Sequence, residues 1–175
     1  LKRVLEKVDS ICEAVKSKHS PFDDGVKDGY YDDTGSIVLT ASDDKETVIK
    51  DMEGVIDHIS EINPDIALFE EVDVDSDRAW HVNEVALLEK GFDKYSSVFA
   101  QNYDSPYLLY PITNPHGASK SGLVTMGKFK FDSAIRRQLP IETSVWKILD
   151  LDRCYSKVYV PVENGKKLVI YTTHM

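Results

Sequence analysis

The sequence predicts an α/β (α+β) domain built as a sandwich. Residues 42–91 alternate helix, strand and helix patterns, and from Tyr95 onward the patterns are strands in succession. The composition, 42% hydrophobic and 29% charged over 175 residues, suits one soluble domain with its own core.

Each element has a local reason. Leu1, Val4, Leu5, Val8, Ile11, Cys12 and Val15 recur at three/four spacing, which predicts a helix over residues 1–18. Residues 19–35 crowd turn formers together (Asp23-Asp24-Gly25, Asp28-Gly29, Thr34-Gly35) and predict a long polar loop. Ser36–Ala41 holds a short β-branched run. Ser42 reads as an N-cap, with Asp43 and Asp44 favourable in the first turn. The helix it opens carries Val48, Ile49, Met52, Val55, Ile56, Ile59 and Ile62 on one face, and Pro64 stops it. Ile66–Phe69 is a continuous apolar run, the pattern of a strand covered on both faces. Residues 78–90 predict a second amphipathic helix through Trp80, Val85, Leu87 and Leu88, with Gly91 as its C-terminal cap.

The rest reads as strands: Tyr95–Gln101, Gly122–Met126, Lys130–Arg136, Arg153–Val162 and Lys167–Thr173. Residues 102–120 form a loop rich in Tyr, Pro and Asn. Glu163-Asn164-Gly165 supplies an Asn-Gly hairpin turn between the last two strands. The chain thus reads as two regions: residues 1–41, an atypical helix and acidic loop, and residues 42–175, the sandwich.

Charge and cysteine usage narrow the function. The net charge of −9 does not favour nonspecific binding to duplex nucleic acid, which needs a basic face. The basic pairs Arg136-Arg137 and Lys166-Lys167 fit strand ends. No apolar run approaches the roughly 20 residues that span a bilayer. Residues 1–18 lack the continuous apolar core of a signal peptide; the chain begins at Leu1, so localisation is left open. Cys12 and Cys154 form no disulfide framework or zinc pattern and read as ordinary buried thiols.

Two strands end in polar groups that a strand interior would not choose. In Ile66-Ala-Leu-Phe-Glu-Glu-Val-Asp73, period-two alternation puts Glu71 on the face of Ala67 and Phe69, at the carboxyl end of the apolar part. His174 ends Leu168-Val-Ile-Tyr-Thr-Thr-His174 in the same manner. In open α/β sheets, ligands bind at that end of the strands.

Asp65-Ile-Ala-Leu-Phe-Glu-Glu-Val-Asp73 resembles the D-I-x-x-L-Q-E-V strand of the endonuclease/exonuclease/phosphatase (DNase I-like) superfamily. Ser121-Gly-Leu-Val-Thr-Met-Gly-Lys128 resembles its G-L-x-x-L-S-K strand, and Tyr171-Thr-Thr-His-Met175 its N-x-H-L strand. The matches keep the family's order across residues 45–175, and Tyr95–Lys128 most resembles a bacterial branch. The resemblance implies part of a four-layer α/β/β/α sandwich, its N-terminal half. It implies a Mg²⁺ held by Glu71, which polarises a phosphoryl oxygen and steadies the leaving group. It implies His174 as the catalytic histidine, and substrate contacts from Arg153, a bidentate phosphate donor, and from Asn102. The substrate would be a phosphate ester, monoester or diester; fold does not choose which.

Some family features have no counterpart. Residues 1–41 hold no T-x-N strand, Glu70 stands where Gln is usual, and no G-D-x-N or S-D-H motif follows His174. The expectation is a fragment of a Mg²⁺-dependent phosphoesterase, inactive as this chain alone for want of a general base. The alternative is a non-catalytic binding or interaction module that kept the fold and lost the site.

Overall fold

The computed structural model describes residues 30–31, 37–38, 44–108, 117–140 and 153–174. The chain divides into two units, Leu1–Thr40 and Ala41–Met175. In the first, strands β1 (Tyr30–Tyr31) and β2 (Ile37–Val38) pair antiparallel, so part of the stretch that reads as loop is extended. The helix expected over residues 1–18, and Cys12 within it, lie outside the described residues.

In the second unit, helix α1 spans Lys45–Ile62. Its N-cap is Asp44, two residues later than the expected Ser42, because the Asp44 carboxylate accepts the Thr47 N–H at 2.7 Å. Asn63 closes the helix in the left-handed region and donates its N–H to the Ile59 carbonyl. After β3 (Ile66–Ser76), a 3₁₀ turn covers Asp77–Ala79. Helix α2 then runs only over Glu84–Gly91, not 78–90. Trp80 and His81 take φ of 51° and 57°, which breaks any helix from Arg78, and Asn83 caps a fresh start by accepting the Ala86 N–H. Trp80 is consequently 48% exposed, and Ala79 and Val82 fill the buried positions instead.

Strands β4 (Ser96–Leu108) and β5 (Gly117–Gly127) complete the first sheet, in the antiparallel order β3-β5-β4. Both outrun the apolar windows that announced them; β4 takes in the start of the segment read as loop. One face of this sheet packs under the helices. Val72, Val85, Leu88, Phe92, Val124 and Met126 form that core, with Met52, Ile56 and Ile59 against it. The central strand β5 is buried along most of its length, as a strand covered on both faces must be.

Strands β6 (Ser133–Gln138), β7 (Cys154–Pro161) and β8 (Lys167–Thr173) form a second antiparallel sheet in that order. At the β7–β8 turn, Asn164 and Gly165 both take positive φ, as an Asn-Gly turn favours. Residues of β7 alternate between buried and half-buried, so one face is covered. That face meets the first sheet: Ala100, Leu123 and Cys154 pack together, and the Thr125 and Thr172 hydroxyls lie 3.3 Å apart. Three layers, α/β/β, are thus in place. Tyr155, Lys157 and Tyr171 lie on the far side of the second sheet, with Lys157 stacked over the Tyr171 ring and no helix covering them among the described residues.

Two irregularities shape the end of the first sheet. Phe69 pairs with Val124 and Val72 with Gly122, so Glu70 and Glu71 together oppose Leu123. This is a β-bulge, and Glu71 takes φ 55° in it. On the other side of β5, Gln101 pairs with Gly122 and Tyr103 with Ser121, leaving Asn102 as an extra residue. The bulges flank the same level of the central strand. The alternation expected for β3 therefore fails at one point: Phe69 and Val72 both pack toward the helices.

Candidate active site

The bulged middles of β3 and β4 meet the end of β8 and the start of β7. Strand β3 runs on to Ser76, so Glu71 lies within the strand and not, as the sequence predicts, at its carboxyl end. His174, one residue past β8, stands between two carboxylates of the β3 bulge. Its Nδ1 is 2.9 Å from Glu70 Oε2 and its Nε2 is 3.2 Å from Glu71 Oε1. The Nδ1 contact has hydrogen-bond geometry, and the Nε2 contact is an approach within ion-pair distance. Glu71 and His174, singled out from two distant strands, are thus neighbours.

Glu71 has a second cationic neighbour. Arg78, from the 3₁₀ turn, places Nη1 3.5 Å from Glu71 Oε2. The same guanidinium is gripped by Asp73: Nε donates to Oδ2 at 2.8 Å and Nη2 to Oδ1 at 3.0 Å. Asp73 is only 3% exposed, and its place is fixed further by Ser76 Oγ, which donates to Oδ1, and by its own N–H, which donates to Glu84 Oε2 at 2.8 Å. Burial alone would push the Arg78 guanidinium toward neutrality, but the Asp73 carboxylate outweighs that and holds it charged. Glu84, desolvated at the start of α2, has its carboxyl pushed up to about 7; the Asp73 N–H and the Arg78 charge oppose that rise only in part.

Tyr103 and Asn102 form the β4 side. Burial raises the Tyr103 phenol, with Arg78 opposing and Glu71 adding to the rise. Arg153 lies over the Tyr103 ring, 5.5 Å from its centroid, and its Nη1 is buried without a hydrogen-bond partner among the described residues. Asn102 is fully buried; its Oδ1 accepts the Cys154 N–H at 2.9 Å and its Nδ2 reaches the His174 carbonyl at 3.5 Å. It ties the ends of β7 and β8 to β4. Cys154 is a buried thiol that donates to the Gln101 carbonyl.

All four residues expected at a site therefore gather at one end of the sandwich, though with different surroundings. The ring of His174 meets Glu70 and Glu71, and Asn102, expected to contact substrate, is buried against the His174 backbone. Sequence reading misses Arg78, Asp73 and Tyr103. Asp73 offers a signal, since a carboxylate continuing a buried strand calls for a cation; Arg78 and Tyr103 offer none.

Mg²⁺ binds one or two carboxylates and otherwise keeps water. The Glu71 side chain is 39% exposed and Glu70 lies beside it, so this donor set fits a largely hydrated Mg²⁺ at a half-open edge. It is no closed cage: among the described residues, no cluster of three or more His, Cys, Asp or Glu side chains is arranged to hold a metal.

Comparison with solved structures agrees with this arrangement of layers. An endonuclease/exonuclease/phosphatase from Beutenbergia cavernae DSM 12333 superposes with a TM-score of 0.54 at 21% identity, over 71% of this chain and 32% of its own. The chain has the endonuclease/exonuclease/phosphatase fold. A family protein from Leptotrichia buccalis C-1013-b gives a TM-score of 0.51 at 15% identity, over 79% of this chain and 53% of its own. The chain thus spans about a third of one structure and about half of the other. No protein-family profile and no curated protein matches the sequence. The DNase I-like α/β sandwich is accordingly the fold of this chain. No described helix is long and apolar enough to cross a membrane.

Proposed function

We propose that this chain is part of a Mg²⁺-dependent phosphoesterase, to which it contributes Glu71 as metal carboxylate and His174 as the histidine that meets the phosphoryl group. The observation that carries the reading is the 3.2 Å approach of His174 Nε2 to Glu71 Oε1, where the β3 bulge meets the end of β8. Bulges that re-aim side chains are over-represented next to active sites.

The chain's own groups have distinct tasks. Glu70 orients the His174 ring through Nδ1, so that Nε2, beside Glu71 Oε1, is the nitrogen that would meet a phosphoryl or leaving-group oxygen. Arg153, whose Nη1 is buried without a hydrogen-bond partner among the described residues, is the guanidinium that would bind the phosphate. Bound Mg²⁺ would neutralise charge on the phosphate ester. Asn102, buried, fixes the backbone that carries His174 and Cys154, and so positions substrate-facing groups from behind.

The chain spans only part of each structure it resembles, and we place the water-activating base in the remainder. The purified 175-residue chain should then show negligible turnover of phosphate monoesters and diesters, while the whole protein turns one of them over with Mg²⁺ and loses that activity on Glu71→Gln. Mg²⁺-dependent hydrolysis by the chain itself, abolished by Glu71→Ala, would contradict the assignment of the base. One observation favours a second reading, a binding module without catalysis: Arg78 and His174 both stand against the Glu71 carboxylate and offset its charge. A whole protein whose stability and activity ignore Mg²⁺ would support that reading instead.

A further inference from the structure

We propose that Arg78 is an oxyanion-binding side chain of this site, held by Asp73 so that Nη1 takes an oxygen of a phosphoryl group. The proposal deepens the phosphoesterase reading and rests on it for the class of ligand.

A guanidinium has five N–H donors in a rigid plane. Asp73 takes one on Nε and one on Nη2 in the bidentate geometry. Nη1 makes no hydrogen bond among the described residues; its nearest acceptor, Glu71 Oε2, stands at 3.5 Å, beyond good hydrogen-bond length. A buried ion pair serving only to tie the 3₁₀ turn to β3 would be complete with the two Asp73 bonds. The third nitrogen instead faces the edge where Glu71 and His174 meet.

The holding group is itself held. Asp73 is bound by Ser76 Oγ and through its N–H by Glu84, and Ser76 Oγ in turn lies 3.0 Å from Ser119 Oγ on the central strand. The guanidinium plane is therefore set before any ligand arrives, which is the condition under which an arginine binds an oxyanion at little cost in side-chain entropy. The Arg78 side chain keeps 18% of its surface exposed, so a ligand can reach it. Tyr103 couples the two arginines of the site. It interacts electrostatically with Arg78, and its ring carries Arg153, whose Nη1 has no hydrogen-bond partner among the described residues. Two guanidinium groups, each with a nitrogen that makes no hydrogen bond among the described residues, thus stand about one aromatic side chain.

Inorganic phosphate titrated into the 175-residue chain, followed by calorimetry, tests this directly. The chain should bind phosphate, and Arg78→Lys, which keeps the charge but loses the fork, should weaken binding by about tenfold or more. Loss of Arg78 leaves Asp73 buried and unpaired, so the double variant Asp73→Asn with Arg78→Met removes both charges together and guards against simple unfolding. That folded double variant should bind phosphate at least about as weakly as Arg78→Lys. Wild-type phosphate affinity in either variant, or no binding by the wild-type chain, overturns the proposal. Ester hydrolysis by the whole protein is scored separately. Turnover with phosphate inhibition indifferent to Arg78 sinks this inference alone; phosphate bound through Arg78 by a whole protein without turnover sinks the hydrolase reading alone.

Discussion

Replacing Glu84 by Gln should stabilise the protein, and increasingly so as pH rises. Glu84 caps the Asp73 N–H with its Oε2 from a desolvated position, and its carboxyl sits at about 7 against an ordinary value of 4.5. The folded state therefore keeps a proton that the unfolded chain releases. Stability falls as pH rises from about 4.5 to about 7 and is level beyond, because the unfolded state binds fewer protons in that window. The gap between the two values is worth about 3 kcal/mol once both states are ionised. Gln keeps an acceptor for the Asp73 N–H and removes the titration. The variant should gain about 1 kcal/mol over wild type at pH 5 and about 3 kcal/mol by pH 8, the difference cancelling all other titrating groups. Urea melts of both proteins between pH 5 and 8 measure it. Parallel stability profiles for the two proteins would refute the reasoning, since they would mean that Glu84 ionises alike in folded and unfolded chains.

Asn102→Ala should cost about 1–3 kcal/mol in the same melts, because the buried Cys154 N–H loses its acceptor where the two sheets meet. Gly117→Ala and Gly54→Ala should move in opposite directions. At Gly117, φ is +65° and an added methyl would overlap the Asp77 side chain that accepts the Ala118 N–H, for a loss of about 1–3 kcal/mol. Gly54 lies inside α1 with nothing near its missing Cβ, so Ala there should add about 0.5–1 kcal/mol.

How much the sequence discloses depends on how local each cause is. The apolar stripe of α1, the Asn164-Gly165 turn and a strand at Ile66–Phe69 are set by neighbouring residues, and all three are present, but β3 is an edge strand with Leu68 48% exposed and is not covered on both faces. Helix α2 reads too long because Trp80 has the look of a core residue of a longer helix, whereas Trp80 and His81 are left-handed in a turn closed by their N–H groups on the Asp77 and Ser76 carbonyls, which no apolar pattern announces. The lengths of β4 and β5 are hidden for a related reason. The second half of β4 (Asn-Tyr-Asp-Ser-Pro-Tyr-Leu) and the first residues of β5 (Gly-Ala-Ser-Lys-Ser) lack an apolar strand pattern, and pairing across the sheet makes them strands where propensity alone does not. At the site, Glu71 and His174 are legible as polar endings of apolar strands. The grip of Asp73 on Arg78 is not, since it depends on a turn whose direction no short pattern specifies.

The extra residue in β3 has a consequence for acidity. Consecutive residues of a regular strand face opposite ways, so of two adjacent glutamates one would be driven under the helices, where a carboxylate has no partner. The bulge removes that conflict, and Glu70 and Glu71 both reach the same imidazole. A doubled negative charge on one side of a buried strand is open only to a chain that accepts a defect in its ladder. Here the left-handed backbone at Glu71 is that concession, placed in a side chain's own residue where glycine would have been easier. Shortening the strand by one residue would mend the ladder and separate the pair.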